Sequence, residues 1–204
     1  DLTGVQHIVE ALRAYTHEFT NKLHVILGLL QLGENRQAEE YVLRLTKTRA
    51  HSISYISERI QEPSVAALLI GKSYRAAELG IRFVLDPASE LRGDGQYLPA
   101  SSLITILGNL TENAFDALRS APENAQKEVT VSIREGEHGM LLSVDDSGTG
   151  MAAPQLDRIF ERGFSTKGEG RGTGLSLVKE TVDAFGGTIR VESEPGIGSS
   201  FIIT

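Results

Sequence analysis

Three polar clusters in the second half of this 204-residue chain carry residue types suited to binding a polyphosphate. The first is Asn109-Leu110-Thr111-Glu112-Asn113-Ala114-Phe115-Asp116, in which Asn109, Asn113 and Asp116 recur at helical spacing and share one face. An amide oxygen there suits magnesium, a hard ion that keeps several waters and binds phosphate oxygens alongside few protein ligands. The second is Asp145-Asp146-Ser147-Gly148-Thr149-Gly150 after an apolar run. A carboxylate at a strand end can accept a hydrogen bond from an exocyclic amine, while the glycines let the backbone turn tightly and approach a ligand. The third is Gly168-Glu169-Gly170-Arg171-Gly172-Thr173-Gly174-Leu175, leading into a helical pattern. Its backbone N–H groups and helix N-terminus suit an anion, with Lys167 and Arg171 adding positive charge. No Gly-Lys-Ser or Gly-Lys-Thr follows, and the glycines do not open a first βαβ unit, which excludes the Walker and dinucleotide loops.

A fourth candidate is a histidine. His17 lies in Thr16-His17-Glu18-Phe19-Thr20-Asn21-Lys22-Leu23-His24, on a stretch where Val5, Val9, Leu12, Thr16, Phe19, Leu23, Ile26 and Leu30 recur at alternating steps of three and four. That is a heptad seam on a long helix. His17 falls outside the seam, where a separate domain could reach it, and Asn21 lies one helical turn further on.

These residues need two kinds of scaffold. Gly33, Glu34 and Asn35 read as a turn, and Val42, Leu45, Ile53, Ile56 and Ile60 continue as a second helix, closed by Pro63. Two helices bury too little apolar surface to stand alone, so a helical hairpin that dimerises into a four-helix bundle is expected. After Pro63 the pattern turns mixed. Helices are expected over 64–79, 101–118, 154–162 and 173–185, with strands over 81–85, around 129–133, 142–144, 189–191 and 201–203. The expected fold class is α+β, with a hairpin over residues 1–62 and a two-layer sandwich over 63–204.

Composition narrows the functional classes. A net charge of −7 with scattered Lys and Arg argues against a nucleic-acid partner, and no apolar run reaches the roughly 20 residues of a spanning helix. Zero cysteines exclude disulfides and thiolate metal sites.

The order of the motifs resembles the GHKL ATPases and, within them, the sensor histidine kinases. The helix with Asn109 and Asn113 is similar to the N box, Asp146 to Gly150 to the G1 box, Phe160-Glu161-Arg162-Gly163-Phe164 to the F box, and Gly170 to Leu175 to the G2 box. Gly196-Ile197-Gly198-Ser199-Ser200-Phe201 is similar to the closing motif beside the adenine pocket, with Ser199 where many members carry Thr. The resemblance implies that Asn113 holds Mg2+, that Asn109 supports it, and that Asp146 rather than Asp145 receives the adenine amine of ATP. It also places Gly148, Gly150, Lys167, Gly170, Arg171, Gly172, Thr173, Gly174, Leu175 and Ser199 around the nucleotide.

His17-Glu18-Phe19-Thr20-Asn21 resembles the phosphoacceptor box of the citrate and C4-dicarboxylate sensor kinases, as do Leu107-Gly108-Asn109-Leu110 and Ser193-Glu194-Pro195-Gly196. His17 would then be the phosphoacceptor, Glu18 its general base, and Asn21 a residue for dephosphorylating a partner. The implied partners are a second copy of the chain and the receiver domain of a response regulator. The implied location is the cytoplasmic portion of an inner-membrane sensor, anchored through segments outside this chain. The alternative is a dimeric phosphotransfer scaffold whose nucleotide pocket has decayed.

Overall fold

The computed structural model describes residues 20–46, 51–93, 97–122, 125–137, 139–164 and 173–204. It divides into two compact units, Asp1–Arg49 and Ala50–Thr204.

In the first unit, residues 20–31 are helical (α1) and Asn35–Thr46 form α2. Gly33 ends α1 in the left-handed conformation, at φ +75. The Glu34 N–H donates to Leu29 C=O at 2.9 Å and the Gly33 N–H to Leu30 C=O at 3.0 Å, so two carbonyls that the helix end would orphan are satisfied. The turn expected at Gly33 to Asn35 is therefore present at Gly33 and Glu34, and Asn35 already opens α2. Of the heptad seam, Leu23 is 48% exposed and Leu30 50% exposed within the single chain.

The second unit opens with α3, His51–Arg59, which continues into an isolated parallel bridge between Ile60 and Leu91. Ile56 and Ile60 are buried in this unit's core. Sequence periodicity assigns residues 51–60 to the hairpin's second helix. In the structure Ile60 bridges to Leu91 and α3 packs on the helix that follows it, so their apolar side is covered within this unit. Glu62 caps α4, Pro63–Glu78, by accepting from the Val65 N–H at 2.7 Å, and Pro63 occupies the first turn, where its missing N–H costs nothing.

The sheet order is β1-β2-β3-β5-β4, with β1 Arg82–Leu85, β2 Glu128–Glu135, β3 Met140–Asp146, β4 Ile189–Glu194 and β5 Gly198–Ile203. β2 with β3 and β5 with β4 are antiparallel hairpin pairs, β3 and β5 join them, and β1 adds in parallel at the edge after a crossover through α5, Ala100–Arg119. α4 packs on β1, α5 on β2 and β3, and α7, Gly174–Ala184, on α5. Strand alternation puts Val129, Val131, Ile133, Leu142, Val144, Phe201 and Ile203 on the covered face, all buried. Thr130, Arg134, Ser143 and Asp145 fall on the other face. This is the expected two-layer α+β sandwich, with a mixed sheet.

One helix is shorter than its periodicity predicts. The expected helix over 154–162 is present only as α6, Ala153–Leu156. Beyond it the Arg158 N–H reaches Gln155 C=O at 3.0 Å, Glu161 reaches Arg158 at 2.9 Å and Phe164 reaches Glu161 at 3.1 Å, the tighter i to i+3 pattern of successive turns. These turns bury Ile159 without a continuous helix, and Gly163 follows at φ +84.

Candidate functional site

The site is assembled where the C-terminal end of β3 meets α5, the start of α7 and the β4–β5 turn. Alternation along β3 places Asp146 on the same side as Leu142 and Val144, facing the helices, and Asp145 on the opposite side, where its carboxylate accepts from Ser143 Oγ at 3.1 Å. The Asp146 carboxylate accepts from the Gly148 N–H at 2.8 Å, a bond that fixes its direction. Ser147 anchors the loop by accepting from the Glu128 N–H at 2.9 Å and donating to Gln126 C=O at 2.7 Å.

Glycine is required in this cradle by space. A Cβ on Gly148 would lie 2.7 Å from Asp146 Oδ1 and 2.8 Å from Ala117 Cβ on α5. Gly150, at φ +63, would bring its Cβ within 2.0 Å of Glu194 C=O. Gly198, at φ +141, would bring its own to 1.9 Å from Asp146 C=O. The loop and the β4–β5 turn are also stitched by hydrogen bonds. The Gly196 N–H donates to Thr149 C=O at 2.8 Å, and Ser193 Oγ accepts from the Met151 N–H at 2.8 Å and donates to Gly198 C=O at 3.0 Å. Ser199 is buried with its hydroxyl 2.9 Å from Ser193 Oγ, so it belongs to this stitching.

On α5, Asn109 Nδ2 donates to Thr105 C=O at 2.7 Å, which turns Oδ1 toward α7; a Cβ on Gly174 would lie 2.8 Å from that oxygen. Asn113 is half-buried one turn further along, and Asp116 is paired with Arg119. Leu175 packs against the core, while Thr173 is exposed and caps α7 through its carbonyl, which accepts from the Leu177 N–H and from Ser176 Oγ, both at 3.0 Å. The structure thus brings together Asn109, Asp146, Gly148, Gly150, Gly174 and Ser199 from segments far apart in sequence. Asn21 lies in the other unit, exposed on α1. His17, Glu18, Lys167, Gly170, Arg171 and Gly172 lie outside the described residues.

Sequence reasoning missed Ala117, whose small side chain lets Gly148 approach α5, and the Ser193 hydroxyl that ties the loop to β4. It missed also a groove of about 400 Å³ on the open face of the sheet, lined by Arg82, Glu128, Thr130, Asp145, Ser147 and Ile197. Arg82 and Glu128 form an ion pair in its lining, and Asp146 also joins that lining. Among the described residues no group of three or more His, Cys, Asp or Glu is placed to hold a metal ion.

A strand-end carboxylate fixed by a glycine N–H, an amide-bearing helix beside it and a glycine-opened helix start are the parts of a nucleotide cradle. A family model described as histidine kinase-, DNA gyrase B-, and HSP90-like ATPase matches residues 99–204, just over half of the chain. The chain belongs to this ATPase family. A second model, the alpha-helical domain of the SpoOB-type sensor kinases, matches residues 2–58. The sensor histidine kinase DcuS of Escherichia coli K12 is 44% identical over 99% of this chain and 37% of its own length. The sensor protein CitS of Halalkalibacterium halodurans is 42% identical over 100% and 38%. The chain therefore spans little more than a third of these relatives.

Among solved structures, the catalytic domain of the histidine kinase ThkA aligns with a TM-score of 0.54 and 23% identity, over 69% of this chain and 88% of that one, which shows the shared fold. Full-length ShkA in complex with AMPPNP aligns with a TM-score of 0.53 and 26% identity, over 95% of this chain and 45% of that one. Among the described residues no helix is long and apolar enough to cross a membrane.

Proposed function

We propose that this chain is the catalytic core of a sensor histidine kinase, which transfers the γ-phosphoryl group of ATP to His17. The observation that carries the reading is the pairing, in one chain, of a sensor-kinase helical domain over residues 2–58, which contains His17, with a family ATPase domain over residues 99–204. The helical match supports a functional division near residue 62, with residues 1–62 for dimerisation and phosphotransfer and 63–204 for ATP binding. Half-exposed Leu23 and Leu30 support a second copy of the chain as the partner that completes the bundle. The glycine cradle around Asp146 is intact, which disfavours a scaffold with a decayed pocket.

In the proposed mechanism Asp146 accepts the adenine amine, and Gly148 and Gly150 let the backbone approach the base. Asn113, supported by Asn109, holds the magnesium that arrives on the phosphates and offsets their charge. Lys167, Arg171 and the N–H groups of Gly170, Gly172 and Gly174 receive the phosphates, with Thr173 and Leu175 leading into α7. Neutral His17 attacks the γ-phosphorus through Nε2, Glu18 takes the proton from Nδ1, the N–P bond forms as the bond to the β-phosphate oxygen breaks, and ADP departs. The phosphoryl group then passes to an aspartate of a response-regulator receiver domain. Signal input and membrane attachment are assigned to the part of the relatives' length that this chain does not cover.

Incubation with γ-labelled ATP and magnesium is expected to give acid-labile, base-stable label on the chain. Asn113→Ala should reduce that label by about 100-fold or more, the scale of losing one group that stabilises the transferring charge. Full labelling of this variant would remove Asn113 from the metal site. A separate assay, loss of phosphate from a phosphorylated receiver domain, addresses Asn21. Asn21→Ala should slow it about 100-fold, the lower end for a side chain that assists proton transfer from a water, while autophosphorylation stays normal. Loss of both would make Asn21 structural.

A further inference from the structure

α4 carries a lysine where its packing calls for an apolar residue. Val65, Leu69 and Ala76 form the buried stripe of this helix, each at 0% exposure, and Lys72 falls between them at the same helical phase, seven residues after Val65. Its side chain is only 14% exposed. Lysine is rarely buried unless paired, and desolvating an ammonium costs more than burying a leucine or alanine of this stripe would. The charge is paired across the helix interface: Lys72 Nζ lies 2.5 Å from Glu112 Oε1 on α5.

Glu112 immediately precedes Asn113 and lies on the polar side of α5 with Asn109 and Asp116, three residues after the first and four before the second. A carboxylate at this point competes with the two amides in either of two ways. It can capture a cation meant for the phosphates, or it can repel the phosphates themselves. Asp116 on the same side is already paired with Arg119. Lys72 is the group that deals with Glu112, and it reaches it from the core of α4, where its own position is fixed by packing.

We propose that Lys72 is a positioning residue for nucleotide binding: its ammonium draws the Glu112 carboxylate toward α4, so that α5 presents the neutral amides of Asn109 and Asn113 to a phosphate-bound cation. This inference rests on the ATP-binding reading given above. It assigns a functional charge to a core position of α4, outside the family motifs, and it explains why the most buried stripe of that helix contains a lysine.

Titration calorimetry of this chain with MgATP tests it, together with thermal unfolding in the absence of nucleotide. Lys72→Met keeps the length and apolar stem of the side chain and should weaken MgATP binding about five- to tenfold, the effect of one uncompensated charge near a partly exposed site. Lys72→Arg should stay within about twofold, because the cation is retained. The decisive variant is the double substitution Lys72→Met with Glu112→Gln, which should recover most of the lost affinity, since the carboxylate that needed holding is gone. Glu112→Gln alone, at a site 53% exposed, should fold normally and bind MgATP at least as tightly as the unaltered chain. Unchanged affinity in Lys72→Met, or no recovery in the double variant, overturns the proposal and reduces the pair to helix packing. Weaker binding by Glu112→Gln also overturns it, by making Glu112 itself a ligand. Absence of binding by the unaltered chain removes the ATP reading and the proposal with it, whereas binding that all four variants leave untouched overturns the proposal alone.

Discussion

His17→Gln is expected to abolish labelling by γ-labelled ATP while MgATP still binds. The substitution keeps a polar side chain of similar reach but replaces an imidazole nitrogen, nucleophilic near neutral pH, with an amide that cannot accept a phosphoryl group. The expected loss is to background, about 10⁴-fold or more, because the acceptor itself is removed. The informative control is His24, seven residues on and so at the same heptad position. It is exposed on α1, where a visiting domain could reach it. Chemistry separates the two. Glu18 directly follows His17 and can take the Nδ1 proton as the N–P bond forms, while His24 is followed by Val25 and Ile26. His24→Gln should therefore label normally. Label retained in His17→Gln and lost in His24→Gln would move the acceptor one heptad along and withdraw Glu18 as base.

The legible parts of the fold were those set by local rules. Gly33 and Gly80 close their helices in the left-handed conformation, and Pro63 both excludes helix before it and opens α4. Asp146, Gly148 and Gly150 could be read as a tight, strand-end cradle because only glycine permits such approaches, although which backbone each glycine faces could not be read. Gly150 meets Glu194, some 44 positions away, and sequence spacing has no access to such a pairing. The hidden parts depend on competition between partners. Ile56 and Ile60 fit a hairpin stripe as well as the core in which they are buried, and periodicity cannot say which neighbour covers them. Phe160 and Phe164 have helical spacing yet sit on i to i+3 turns. Lys72 was hidden for the opposite reason: a lone lysine in an apolar run reads as a solvated position until the helix phase and the Glu112 contact are seen together.

Gly198→Ala should destabilise the ATP-binding unit and remove nucleotide binding together, because one contact serves both. At φ +141 an L-residue is strained, and its Cβ would also fall 1.9 Å from Asp146 C=O, 2.9 Å from the carbonyl carbon and 3.1 Å from Ser147 Cα. All three are backbone atoms, so no side-chain rotation relieves the clash. β3 and β5 must separate at the end where Asp146 pairs with Ser199. Overpacking and backbone strain together predict a loss of about 3–5 kcal/mol, read as a lower urea midpoint. Relief by separation also shifts Asp146, whose carboxylate is held against the Gly148 N–H, so whatever fraction stays folded should bind MgATP poorly. Gly196→Ala isolates the conformational part. Gly196 is also left-handed, at φ +79, but a Cβ there meets nothing within 4 Å, so the expected cost is about 1–2 kcal/mol with binding preserved. Equal losses in the two variants would mean that the close approach of β5 to Asp146 contributes nothing. A large loss confined to Gly198→Ala would show that the glycine after the β4–β5 turn is required because the adenine-side carboxylate hangs from the backbone it touches.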